Sequence, residues 1–281
     1  MRRSRISARP EPVVTENPVD ASLIALAERL VDASGPIARR HFRTHLPIDD
    51  KQDDSPVTRA DREAEAAMRA IIEAERPGDG ILGEEHGAVC TDAEFVWVLD
   101  PIDGTRAFIN GLPVFGTLVA LTRYGAPILG VIDMPVLGDR WVGARGHAPR
   151  FATAGNGAGT VRTRACGSLA EARLCATTPD MFRGADSTVF DRLHGAVRDT
   201  RYGTDCIAYG LLAGGHTDLV VEAGMKPYDY LAQVPIIEGA GGVITDWRGA
   251  PLTLASDGRV VAAGDVRVHG ETLALIGAAT N

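Results

Sequence analysis

The chain has 281 residues, 45% of them hydrophobic and 23% charged, with a formal net charge of −8. That length suits one large α/β domain or two small ones with an ordinary packed core. The acidic balance argues against the basic stripe that nucleic-acid binding requires, and no apolar run approaches the ~20 residues of a membrane helix. The four cysteines, Cys90, Cys166, Cys175 and Cys206, are far apart and form no C-x-x-C. They read as free thiols in a reducing cytoplasm, against a zinc or disulfide framework.

The chain opens on Met1-Arg2-Arg3-Ser4-Arg5, but Arg9-Pro10-Glu11-Pro12 follows where a secretory signal needs an apolar stretch. Residues 1–18 are expected to form a flexible extension. Over residues 19–43 the apolar positions Leu23, Leu26, Ala27, Leu30 and Val31 recur at helical spacing. A polar loop through Asp49-Asp50-Lys51-Gln52-Asp53-Asp54 ends in Ser55-Pro56-Val57. A second helix opens at Thr58, where Thr58-Arg59-Ala60-Asp61 has capping-box spacing, and Pro77-Gly78 closes it. Ile81-Leu82 is a short strand leading into Gly83-Glu84-Glu85-His86-Gly87.

Phe95-Val96-Trp97-Val98-Leu99 reads as a strand from its aromatic and β-branched content. Residues 115–122 and 127–134 form a hairpin around Gly125, residues 140–144 a third strand, and the Gly- and Ala-rich residues 145–159 a loop. In the second half, strands are expected over 172–177, 218–222, 243–245 and 260–262. Helices are expected over 187–197, 207–212, 228–239 (after Pro227) and 273–276. The alternation lacks a regular βαβ beat and a G-x-G-x-x-G, so the fold class is α/β of the α+β kind, in layered helices and sheets.

The stretch Asp100-Pro101-Ile102-Asp103-Gly104-Thr105 carries the chemistry. Two carboxylates at a strand end, then a glycine and a small hydroxyl, suit a divalent cation beside a phosphate. The plain alternative is a turn with acidic corners. Glu84, Asp100, Asp103 and Asp229 also fall at strand ends or helix starts. If they met, their like charges would raise one another's pKa or recruit cations, and oxygen-only donors select hard cations such as Mg²⁺. Spacing alone does not show that they meet.

Gly83-Glu84-Glu85, Asp100-Pro101-Ile102-Asp103-Gly104-Thr105, Lys226-Pro227-Tyr228-Asp229-Tyr230-Leu231-Ala232 and the upstream Ser55-Pro56-Val57-Thr58-Arg59-Ala60-Asp61 resemble, in order, the signature motifs of the inositol monophosphatase family. These are Mg²⁺-dependent, lithium-sensitive phosphomonoesterases. Phe108-Ile109-Asn110-Gly111-Leu112-Pro113-Val114-Phe115-Gly116-Thr117-Leu118 and Thr177-Thr178-Pro179-Asp180-Met181-Phe182 resemble its histidinol-phosphate phosphatase branch, and Tyr228-Asp229 stands where inositol monophosphatases usually have Trp-Asp.

The resemblance implies a layered α-β-α-β-α sandwich over residues 19–281, with a metal-site half to about residue 150 and a substrate-recognition half beyond it. It implies a cytoplasmic homodimer acting on L-histidinol phosphate in histidine biosynthesis, or on inositol monophosphate or another small phosphate ester. Glu84, Asp100, the Ile102 carbonyl, Asp103 and Asp229 would hold Mg²⁺. Asp103, Gly104 and Thr105 would hold phosphate. Glu84 and Thr105 would orient water for direct in-line attack, with Asp61 bonded to Thr105. Asp205 and Glu222 would face the leaving group, where two acids suit a cationic alcohol.

Plainer readings stand beside these. Asp61 is also a capping residue, Asp229 an acid favoured by a helix dipole, and Asp205 an ordinary helix cap. Glu85 reads as a supporting or solvated residue, His86 as a substrate contact or a surface histidine, and Lys51 as solvated near the rim. Trp97 and Trp141 read as core and Trp247 as a loop anchor. A non-catalytic metal-binding relative is the rival of another class, and the intact acidic set argues against it.

Overall fold

The computed structural model describes residues 17–44, 48–50, 56–155 and 157–280. Lys51 and nearly all of the expected N-terminal extension lie outside the described residues, as does the Thr58 side chain of the expected capping box. In chain order the elements begin with α1 (Ala21–His41), β1 (Ile48–Asp50), β2 (Pro56–Thr58), α2 (Arg59–Glu75), β3 (Gly80–Gly83), β4 (Gly87–Val89), β5 (Phe95–Asp103) and α3 (Thr105–Ile109). Next come β6 (Gly116–Arg123), β7 (Ala126–Met134), β8 (Asp139–Ala144), β9 (Arg150–Thr153), β10 (Gly157–Thr160), β11 (Arg173–Ala176), α4 (Ala185–Ala196) and β12 (Asp199–Tyr202). The chain ends with α5 (Ile207–Ala213), β13 (Leu219–Glu222), α6 (Pro227–Tyr230), α7 (Gln233–Gly239), β14 (Val243–Thr245), β15 (Val260–Ala263) and α8 (Val266–Thr280).

Among the described residues, eight strands form one sheet in the order β10-β9-β8-β7-β6-β5-β3-β4, and five form a second in the order β12-β11-β13-β15-β14. In β5 the side chains alternate between faces, as a pleat requires. Trp97 and Leu99 pack outward with Leu30 of α1 and Met68 and Ile72 of α2. Val96 and Val98 pack inward with Tyr209 of α5, Ile236 of α7 and Val220 of the second sheet. The outer face of that second sheet, through Leu174, Leu219 and Val261, packs on Val189 and Phe190 of α4 and Val268 of α8. The layers are therefore α1/α2, large sheet, α5–α7, small sheet, α4/α8, the α-β-α-β-α order expected. Each fully buried Leu, Ile, Val or Phe contributes about 1.5–3 kcal/mol. The inner helices sit close because a Cβ at Gly130 of β7 or Gly143 of β8 would strike the backbone of Ala232 or Ile236.

Two expectations need correction. Residues 145–159 hold most of the hairpin β9–β10, which extends the edge of the large sheet. The expected helix 228–239 is two helices, α6 and α7, with a turn at Leu231 and Ala232. Pro235 has no N–H to give the Leu231 carbonyl, which opens the ladder there. The three tryptophans are buried as expected, and Trp247 Nε1 donates to the Val260 carbonyl. All four cysteines are free, with Cys90 exposed. Among the described residues, no helix is long and apolar enough to cross a membrane.

Candidate active site

β5 continues its inward alternation from Val96 and Val98 to Asp100, so a carboxylate takes the place of the next core side chain. It is 2% exposed. Beyond it the pairing with β6 slips, from Asp100↔Leu118 to Asp103↔Gly116, so β5 gains one residue in a bulge. Two hydrogen bonds hold that bulge. Thr117 Oγ1 donates to the Pro101 carbonyl at 2.8 Å, and the Ile102 N–H donates to Asp100 Oδ1 at 3.1 Å. Gly104 then turns the chain at φ 82°, a left-handed conformation natural to glycine, and α3 starts at Thr105. The first N–H groups of a helix have no partner inside it, so this turn presents donors beside two carboxylates.

From the second half, the first turn of α6 brings Asp229 to the same place. Its Oδ2 accepts the Lys226 N–H at 2.7 Å. One carboxylate oxygen from each of Asp100, Asp103 and Asp229 lies within 4.8 Å of the others. These three residues, with Glu84, Ile102 and Thr105, line a cavity of about 340 Å³. Gly104, Asp205 and Glu222 line it as well.

The electrostatics follow from burial. Asp100 is held well above the usual carboxylate range by burial first and then by the charges of Glu84, Asp103, Asp229 and Asp61. Asp103 is raised by burial and by Asp205 and Asp229, against a bond from the Cys206 thiol, and the Cys206 N–H donates to its Oδ2 at 2.8 Å. Burial lifts Asp229 to about 7, opposed by its bond from Lys226 and reinforced by Glu84 and Glu222. Carboxylates raised by one another fit a cation that would relieve them. The three side chains that converge offer only carboxylate oxygens. That set fits a hard divalent ion.

Asp61 is 1% exposed in the first turn of α2. The expected Asp61–Thr105 bond is not the one formed. Thr105 Oγ1 has a single proton, and it goes to the Ile102 carbonyl at 3.1 Å. Asp205 is not a side-chain cap of α5. It precedes Cys206 at φ 41°, and a Cβ on Gly104 would lie 3.1 Å from its Cγ. Burial lifts it to about 6. Glu222 is buried in the cavity wall, where Thr177 N, Thr177 Oγ1 and Tyr209 Oη donate to it at 3.1, 2.5 and 2.8 Å. Burial raises it to about 7 against those bonds. His86 is exposed, with a ring nitrogen 3.1 Å from the Arg62 carbonyl. The Glu85 side chain is 3% exposed and 3.9 Å from Arg62, so its solvated reading is corrected.

Sequence reasoning missed Tyr209 and Gln233, both of which line the cavity. Tyr209 falls in an apolar helix pattern and looks like core. Gln233 Nε2 donates to the Asp229 carbonyl at 2.5 Å, and its spacing of four residues from Asp229 was the available signal.

A family model described as the inositol monophosphatase family matches residues 20–280. The chain belongs to this family. It is therefore a phosphatase of a family that uses metal ions. It is 48% identical over 258 residues to the Arabidopsis thaliana protein named "Bifunctional phosphatase IMPL2, chloroplastic", covering 89% of this chain and 73% of that one. It is 35% identical over 241 residues to a protein named "Histidinol-phosphatase" from Chlorobaculum parvum, covering 85% and 91% of the two chains. The solved structure of an inositol monophosphatase from Zymomonas mobilis superposes with a TM-score of 0.82 at 49% identity, covering 91% of this chain and 98% of that one.

Proposed function

We propose that the protein hydrolyses L-histidinol phosphate to L-histidinol and phosphate with Mg²⁺, in histidine biosynthesis, as a cytoplasmic homodimer. Glu84, Asp100, the Ile102 carbonyl, Asp103 and Asp229 would hold the metal. When bound, Mg²⁺ neutralises phosphate charge and lowers the pKa of water. The chain supplies the rest. The Gly104 and Thr105 amides hold phosphate oxygens. Thr105 gives its proton to Ile102, so its lone pairs face outward to accept from the attacking water, beside the Glu84 carboxylate. Water adds to phosphorus as the bond to the alcohol oxygen breaks, one of the water's two protons passes to that oxygen and the other stays on the phosphate, and no side chain is phosphorylated.

The observation that carries the substrate is the second pair of acids. Asp205 lies against Gly104, and Glu222 closes the same cavity. Carboxylates beside a phosphate cradle repel an anionic leaving group and favour an ammonium. Relatives named "Histidinol-phosphatase" at 30–35% identity point the same way. Inositol monophosphate is the second reading, supported by the Zymomonas mobilis inositol monophosphatase at 49% identity. Comparing kcat/KM over a panel of phosphate esters tests the choice. Histidinol phosphate should lead; a lead for inositol monophosphate would reverse it.

A further inference from the structure

Glu65 stands one helical turn after Asp61 on α2, and its side chain is fully buried. A buried carboxylate needs partners, and the partners of this one share a purpose. Arg69 Nε donates to Glu65 Oε1 at 2.7 Å. The Glu85 N–H donates to Oε2 at 2.7 Å and the His86 N–H to Oε1 at 3.1 Å. Arg69 also donates to the Gly87 carbonyl. Three consecutive residues of the β3–β4 turn are thus tied to α2.

The residue before them is Glu84. Its N–H donates to the Leu99 carbonyl of β5 at 3.2 Å, next to Asp100, and its side chain lines the cavity. Glu84 is therefore held from both sides, by β5 on one and by the Glu65 carboxylate on the other. Gly83 belongs to the same device, because a Cβ there would collide with the Glu65 carboxylate.

We propose that Glu65 is a positioning residue, which fixes the Glu84 turn at the distance from Asp100 that metal binding requires. The proposal rests on reading Glu84 as a metal ligand. Glu65 touches neither substrate nor cavity; it acts through the backbone of residues 85 and 86.

The test is Glu65→Gln in the full chain. The amide keeps the shape but has one acceptor oxygen, and its NH₂ would face a backbone N–H. In the metal-free variant, hydrogen exchange over residues 84–88 should accelerate about tenfold or more, while α2 and β5 keep their protection. Calorimetry should show Mg²⁺ binding weakened roughly 10–100-fold, with kcat at saturating Mg²⁺ reduced far less. Unchanged exchange or unchanged Mg²⁺ affinity would overturn the proposal, as would exchange accelerating uniformly over α2, β3 and β5. If Glu65→Gln does not fold, Gly83→Ala displaces the same carboxylate and should give the same two changes; wild-type Mg²⁺ affinity there also overturns it. A wild-type protein that binds no Mg²⁺ overturns the metal reading itself, and is told apart because the wild type alone reveals it.

Discussion

Asp229→Asn separates the cost of the acidic cluster from its use. Burial and neighbouring charges lift Asp229 from 3.8 to about 7 in the folded chain. Its raised pKa means the folded chain binds this proton more tightly than the unfolded chain does. The stabilisation is complete below the unfolded value and is lost as pH rises from 3.8 towards 7. Ionising Asp229 therefore costs the metal-free fold roughly 4 kcal/mol by about pH 8, but only about 2 kcal/mol at about pH 5. Asparagine stays neutral and keeps an oxygen for the Lys226 N–H. In urea unfolding with a chelator present, the variant's stability relative to wild type should grow by about 2–3 kcal/mol between those two pH values. Any pH-independent cost of the amide cancels in that difference. Magnesium should narrow the gap at about pH 8, stabilising wild type by about 2.7 kcal/mol at a hundredfold excess over its Kd and the variant far less. A gap that does not widen with pH would refute this electrostatic account of the cluster.

Asp100→Asn should cut phosphate release by more than about a hundredfold, since even groups that only orient metal ligands are worth 10–100-fold. Circular dichroism should show an unchanged fold, and near-normal turnover would remove the metal mechanism. Asp205→Ala should raise KM for histidinol phosphate about 10–100-fold, the worth of one charged hydrogen bond, and KM for a neutral ester far less. Equal effects would discredit the pairing with a cation. Glu222 titrates at about 7 and carries charge above that value. KM for a cationic ester, relative to a neutral one, should therefore fall as pH rises through 7, and Glu222→Gln should flatten that dependence; a dependence that survives the substitution rules Glu222 out as its source.

Elements with a strong apolar period were legible in the sequence. β5 and β6 are nearly unbroken apolar runs, and the apolar positions of α2 recur at helical spacing, although the stripe read as Ala64, Ala67, Met68 and Ile71 is buried in full only at Ala64, Met68 and, one residue on, Ile72. What escaped lacked that period. β9–β10 is built largely of small residues, Ala152, Gly157, Ala158 and Gly159, with no apolar face to read. β12 is a polar, mostly exposed edge. The turn around Asp100 and Asp103 was legible because a strand end, a proline and a glycine are local signals. The approach of Asp229 was not, because it depends on how the second half folds back over the first; only the family resemblance supplied it. Glu65 escaped for a simpler reason. A glutamate in a helix looks solvated until the turn that covers it is in place.

Phosphate released from histidinol phosphate, measured with Mg²⁺ and again after chelation, decides whether the acidic cluster works through a metal. Turnover should appear with the metal, be lost on chelation and return when Mg²⁺ is added back. Turnover that persists in full under chelation would contradict it.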